Sequence, residues 1–431
     1  MGTVRRATAL TAVPLIVALF ACSAGGAPPG GTAAEAAQAA QPVGGAQLGG
    51  HGVVVNPAPG VKEPPKVDAS SYIISDGDTG EILAAKDPHG HYLPASALKT
   101  LTSVALIPKL DRNAMIRPTE ATVDVEGTKV GMSPALTYRV SDLFKAMLMV
   151  SGNDAALALT QAAGGLPRSL ALMNTEARRL QAYDTLAGSP NGLDVDLGLS
   201  VNTQHTSAYD LSLVMRQGLR MKDFREYVST VNADWPALPS KKERDKGHRS
   251  GGYPIYTHNR LLRPGHSQYP GMIGGKNGYT VAAQQTFVGA ARRNGHTIII
   301  SLMHSPELWP YATELLDWGF AARGRVRPVG TLVGPVTPVK KKPKQDAGLA
   351  PLGRRNAGDL GLISLGAGAA AALVVAGGAA IMLVRRRRRR AADPAGDPVS
   401  PAAGPQPGTP AAPSPEQPAA GFDERIEPPT R

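Results

Sequence analysis

The chain has 431 residues and a formal net charge of +12, from 46 Lys and Arg against 34 Asp and Glu. Half of that excess is one run, Arg385 to Arg390, so the basic balance gives no ground for nucleic-acid binding by the remainder. Cys22 is the only cysteine, which excludes an intrachain disulfide and any thiol-based site.

Residues 1–24 read as an export signal. Arg5 and Arg6 precede an almost wholly apolar run from Ala7 to Ala21, and small residues follow. A core of that length is short for a membrane span and suits a signal peptide. Leu19-Phe20-Ala21-Cys22 weakly resembles a lipoprotein cleavage box, with bulky Phe20 where a small residue is preferred. Cys22 is therefore either lipidated or removed with the signal. Residues 25–66, rich in Ala, Gly and Pro and nearly uncharged, read as a flexible linker.

Residues 67–325 are expected to form the folded domain. Ser71 to Ser75 and Glu81 to Ala85 have strand character, joined by the turn Asp76-Gly77-Asp78-Thr79-Gly80. Ala95 to Leu106 has helical spacing with Pro94 just ahead of it. Ser141-Asp142 is placed to cap a helix running to Met149, Ala163-Gly164-Gly165 to close the next, and Ser207 to Arg220 to form another. Thr286 to Arg292 and Thr297 to Met303 flank Asn294-Gly295, a strong hairpin signal. Pro306 to Phe320 suits a closing helix. Hairpins at both ends with helices between predict an α+β domain, one antiparallel sheet covered by helices.

Beyond it, residues 326–359 read as a basic, Pro-rich stalk. Residues 360–384 carry no charge and would reach roughly 37 Å as a helix, enough to cross a hydrocarbon core. The arginine run follows at once and would be held on the cytoplasmic side. Residues 385–431 then continue as a Pro-rich, disordered tail. The expectation is a single-pass protein of the cell membrane with its catalytic domain extracytoplasmic.

Three short elements carry chemistry. Ser96-Ala97-Leu98-Lys99 stands at a helix start, Ser151-Gly152-Asn153 between two helices, and Lys276-Asn277-Gly278 where a strand should begin. Each alone is a common coincidence; their order and settings make a set. A serine hydroxyl needs a base to act as nucleophile. Residues three apart share a helix face, so Lys99 can place its amine beside Ser96. Burial or a positive neighbour such as Lys276 would lower the Lys99 pKa enough for it to serve. Ser151 can relay a proton to a leaving amine, and Asn153 can hydrogen-bond a substrate amide, with Asp154 free to cap the following helix. Lys276 and Asn277 can hold a carboxylate, and Gly278 permits close backbone approach. The amides of Ser96 and Tyr279 would supply an oxyanion hole.

Together these elements resemble the serine-type D-alanyl-D-alanine carboxypeptidases, the low-molecular-mass penicillin-binding proteins. The resemblance runs over Val67 to Arg325 and includes Asn191-Gly192-Leu193-Asp194 and Gly275-Lys276-Asn277-Gly278-Tyr279-Thr280. It implies a β-lactamase/transpeptidase-like fold: a sheet of about five strands flanked by helices, plus an all-helical lobe. It implies Ser96 as the acylated nucleophile, Lys99 as its base, and Ser151, Asn153 and Lys276 completing the cleft. The implied substrate is the peptidoglycan stem peptide, with β-lactam antibiotics as inhibitors and no cofactor. Asn277 departs from the usual K-T-G, though its amide can also donate. A β-lactamase of the same fold is disfavoured because the region after Ser151 lacks the expected glutamate element. A catalytically weak wall-binding homologue has Asn277 as its only support. His89-Gly90-His91 lacks partners for a zinc site, and no metal is expected.

Overall fold

The structure is a computed structural model that describes residues 41–336. The expected export signal, Cys22, most of the expected stalk, the expected membrane span, the arginine run and the tail lie outside the described residues. No helix among the described residues is long and apolar enough to cross a membrane.

Along the chain the strands are β1 (Val53–Val55), β2 (Ser71–Asp76), β3 (Glu81–Lys86), the short pair β4 (Met115–Ile116) and β5 (Tyr138–Arg139), and the ribbon β6 (Asn232–Ala237) and β7 (Gly251–Tyr256). They continue with β8 (Met272–Thr280), β9 (Gln284–Arg293), β10 (His296–Ser305) and β11 (Gly330–Thr331). The main helices are α1 (Lys99–Leu106), α2 (Val140–Met149), α3 (Asn153–Ala162), α4 (Leu166–Arg179), α5 (Ala208–Arg220), α6 (Lys222–Val228) and α7 (Trp309–Ala322).

One antiparallel sheet has the order β1-β3-β2-β10-β9-β8, with β11 also on β3. Both predicted hairpins are present. Asp76 Oδ1 accepts the Asp78 and Thr79 amides at 2.8 and 3.0 Å and shapes the first turn. Asn294 and Gly295 both take positive φ, 50° and 82°, as a two-residue hairpin turn requires. Alternation along β2 and β10 sends side chains to two cores. Ile73 and Ile299 join the core under α1 to α6, whereas Ile74, Ile298 and Ile300 join the one under α7. Both faces of these strands are therefore covered.

Two expected boundaries need correction. Residues 41–66 are not all linker: Leu48 is fully buried, and Val53–Val55 pair with Lys86, Ala85 and Ala84. Nor does the stalk begin at residue 326, because Val326, Val329 and Leu332 are buried and Gly330–Thr331 pair with Ile82 and Glu81. These two segments raise the expected five strands to seven. Their composition is that of a linker, and only pairing with residues far along the chain makes them strands. Ser141-Asp142 does not cap α2, which begins at Val140 without a side-chain cap. Ser207 does cap α5, accepting the Asp210 amide at 3.1 Å.

Candidate active site

The first element sits where β8 and β9 meet α1. Ala95–Leu98 form a 3-10 turn leading directly into α1, so Ser96 lies on the turn and Lys99 opens the helix. Ala95 is held at φ 44°, a conformation that non-glycine residues rarely adopt. Two contacts flank it. Thr286 Oγ1 on β9 donates to the Pro94 carbonyl at 2.8 Å. On the other side Gly192 packs so closely that a Cβ there would come within 1.8 Å of the Ala95 oxygen. Ser151, in the break between α2 and α3, also has positive φ, 65°.

Four of the residues predicted from sequence meet at one atom. Lys99 Nζ lies 2.8 Å from Ser96 Oγ, 3.4 Å from Ser151 Oγ and 2.7 Å from Asn153 Oδ1. Its fourth neighbour is the Asn191 carbonyl at 2.8 Å. Asn153 Oδ1 and the Asn191 carbonyl can only accept, so they take the two N–H bonds of a neutral amine. The remaining neighbours are hydroxyls, which can donate to the lone pair. The geometry therefore turns the lone pair of Lys99 toward Ser96 and Ser151.

Lys99 is fully buried. Burial first, and then the positive charge of Lys276, hold its pKa well below the usual lysine range, against a smaller upward pull from Asp154. Lys276 is fully buried on the edge strand β8, and burial pushes it down to about 7. Its Nζ donates to the Asn277 carbonyl at 2.5 Å. The Asn277 side chain is half-buried and makes no hydrogen bond to the described residues. Tyr279 is exposed.

Gly278 has a sharper purpose than close substrate approach. A Cβ there would stand 2.5 Å from the Ser96 amide nitrogen and 2.8 Å from that of Ala97. Glycine keeps the space in front of the Ser96 amide open.

Residues 59–307 match the family model described as D-alanyl-D-alanine carboxypeptidase. The chain belongs to that family. D-alanyl-D-alanine carboxypeptidase DacB2 of Mycobacterium tuberculosis is 35% identical over 263 residues, covering 60% of this chain and 84% of that protein. DacF of Bacillus subtilis is 23% identical, and the match covers 59% of this chain and 62% of DacF. Among solved structures, a D-alanyl-D-alanine carboxypeptidase from Mycobacterium tuberculosis H37Rv shares 34% identity at a TM-score of 0.56, covering 64% of this chain and 98% of that one. A mutant of Streptomyces K15 DD-transpeptidase, 23% identical at a TM-score of 0.53 over 60% of this chain and 99% of that one, shows the fold alone. Family membership makes the chain a serine hydrolase.

Further residues complete this carboxypeptidase-family site. Asn191 contributes its carbonyl to Lys99, and the S-P-N-G-L-D run around it was a visible signal. Thr280 Oγ1 donates to Asp194 Oδ2 at 2.6 Å and ties that run to β8. Asp154 accepts backbone amides of residues 130–132 as well as its own helix's Ala155. His258 stands near Lys276: its pKa is lowered by burial first, then by Lys276 and Arg263. Nothing local marks Thr286 or His258. His89 and His91 both face Asp184, at 2.6 and 3.6 Å, and neither is hydrogen-bonded to Ser96, Lys99, Ser151 or Lys276 among the described residues.

Proposed function

We propose that this chain is a D,D-carboxypeptidase that trims the terminal D-alanine from peptidoglycan stem peptides through an acyl-serine intermediate. The observation that carries it is Lys99 Nζ at 2.8 Å from Ser96 Oγ, buried and held below its ordinary pKa. A neutral amine at that distance is the base a serine nucleophile requires. Ser96 Oγ attacks the carbonyl carbon of the penultimate D-alanine while its proton passes to Lys99. The peptide C–N bond then breaks, and the departing D-alanine nitrogen takes that proton through Ser151. Water then adds to the acyl carbon, giving a proton to Lys99, and the acyl C–Oγ bond breaks as Ser96 Oγ takes that proton back from Lys99. Lys276 and Asn277 receive the terminal carboxylate, and Asn153 a substrate amide. The amides of Ser96 and Tyr279 stabilise the oxyanion. β-Lactams enter the same path and stop at the acyl-serine.

The domain is placed outside the cytoplasm on the cell membrane. Support for that comes from the sequence alone, from the apolar core of residues 1–24 and the uncharged residues 360–384 before six arginines. The peptidoglycan substrate lies on the same side.

Fluorescent penicillin offered to the parent protein and to Ser96→Ala tests this function. The parent is expected to keep a lasting covalent label and Ser96→Ala none. An unlabelled parent, or one that turns the β-lactam over rapidly, would refute it.

A further inference from the structure

Asp154 follows Asn153 at the start of α3 and is fully buried. Its carboxylate takes four backbone N–H groups and no side-chain donor. Oδ1 accepts from Val130 and Ala155, both at 2.9 Å. Oδ2 accepts from Gly131 at 2.9 Å and Met132 at 3.2 Å. Three of the four belong to a loop some twenty residues earlier in the chain, so the bonds gather that loop rather than cap the helix.

The gathered loop returns two carbonyls to Asn153. Thr128 O accepts its backbone N–H at 2.8 Å, and Glu126 O accepts its Nδ2 at 2.7 Å. Between them Gly127 has φ 75°, and a Cβ there would come within 2.9 Å of Asn153 Nδ2. The loop's outer side is braced by the β6–β7 ribbon. The Tyr253 hydroxyl donates to Val130 O, and Trp235 Nε1 donates to Gly131 O at 3.4 Å. Pinning Nδ2 on Glu126 leaves Asn153 Oδ1 facing Lys99, and that contact helps to direct the lone pair of the base.

We propose that Asp154 is a positioning residue of the acyl-transfer site, acting through the 126–132 loop to hold Asn153 on Lys99 and so aim the amine at Ser96. The proposal rests on the functional reading above.

The carboxylate has a second effect on the same amine. Two charged groups act on Lys99: Lys276 from β8, which favours loss of its proton, and Asp154 from α3, which opposes it. His258 faces Lys276 in turn. A base that lost too much proton affinity would be free at neutral pH but too weak to take the serine proton. Asp154 thus keeps Lys99 basic while it keeps it aimed.

The test compares the full-length parent, Asp154→Asn and Gly127→Ala, each checked by thermal melting. The readout is the rate of fluorescent-penicillin acylation from pH 5 to 9. For Asp154→Asn the plateau rate is expected to fall roughly 100-fold, the scale of a misplaced catalytic group. Its acid limb is expected to move down by roughly one pH unit, because the group that raised the Lys99 pKa is gone. Gly127→Ala disturbs Asn153 but keeps the charge, so its rate should fall with the limb in place. A folded Asp154→Asn that labels at the parent's rate, or is slowed equally at every pH, overturns the proposal. If Asp154→Asn does not fold, Gly127→Ala decides, and the parent's rate there overturns it. A parent that takes no label at Ser96 overturns the functional reading itself, and this proposal with it.

Discussion

Lys99 illustrates how one side chain acquires a chemistry its residue type does not have. A lysine in water is a cation. Here it is buried with four oxygen neighbours, and two of them can only accept, which leaves the lone pair to the hydroxyls. Ser96 and Lys99 were legible because their spacing is local: three residues on one helical turn must share a face. The Asn191 carbonyl was not assigned a role, because a backbone oxygen leaves no mark on a residue list. Gly278 belongs to the same scale. Gly278→Ala would place a methyl group 2.5 Å from the Ser96 amide nitrogen. The acylation rate should fall roughly 100- to 1,000-fold, the cost of losing one oxyanion donor. Stopped-flow labelling checks this, and a rate within a few-fold of the parent would remove that amide from the oxyanion hole.

At the scale of elements, local signals located most of the sheet. The Asn294-Gly295 turn and the β-branched runs on either side placed β9 and β10 almost to the residue, and β2 and β3 likewise. β1 and β11 escaped because their neighbourhoods are rich in Gly and Pro and their partners are remote. Leu48, just ahead of β1, packs on β11, its side chain so close to Gly330 that a Cβ there would meet it at 2.7 Å. Leu48→Ala is therefore expected to destabilise the protein by about 2–5 kcal/mol. Urea unfolding measures it. A change near zero would return residues 41–55 to the status of linker.

For the whole molecule, two buried lysines within one site make the fold sensitive to pH. Lys276 has a pKa of about 7 when folded, against roughly 10.4 in an unfolded chain. Between those values the unfolded state binds the proton and the folded state does not, so stability rises with pH through that window. Below about pH 7 both states are protonated and the cost becomes constant. Lys276→Met removes this contribution. The stability of the parent minus that of Lys276→Met is expected to grow between about pH 7 and 10, and thermal melts across that range give the difference. A flat difference would mean that the amine is charged in the folded protein at neutral pH.

By itself the sequence determined the chemistry-bearing types and their local settings. A serine and a lysine one turn apart, a serine and an asparagine across a glycine at a helix break, and a Lys-Asn-Gly strand all follow from short-range periodicity and turn chemistry. It also determined the hairpins, because Asn-Gly fixes its own backbone. Tertiary structure alone decided where the folded body begins and ends, since β1 and β11 exist only through pairing with β3. It alone buried both lysines and set their proton affinities, because desolvation depends on what packs around a group rather than on its neighbours in the chain. The same holds for Asp154, whose loop partners lie more than twenty residues upstream.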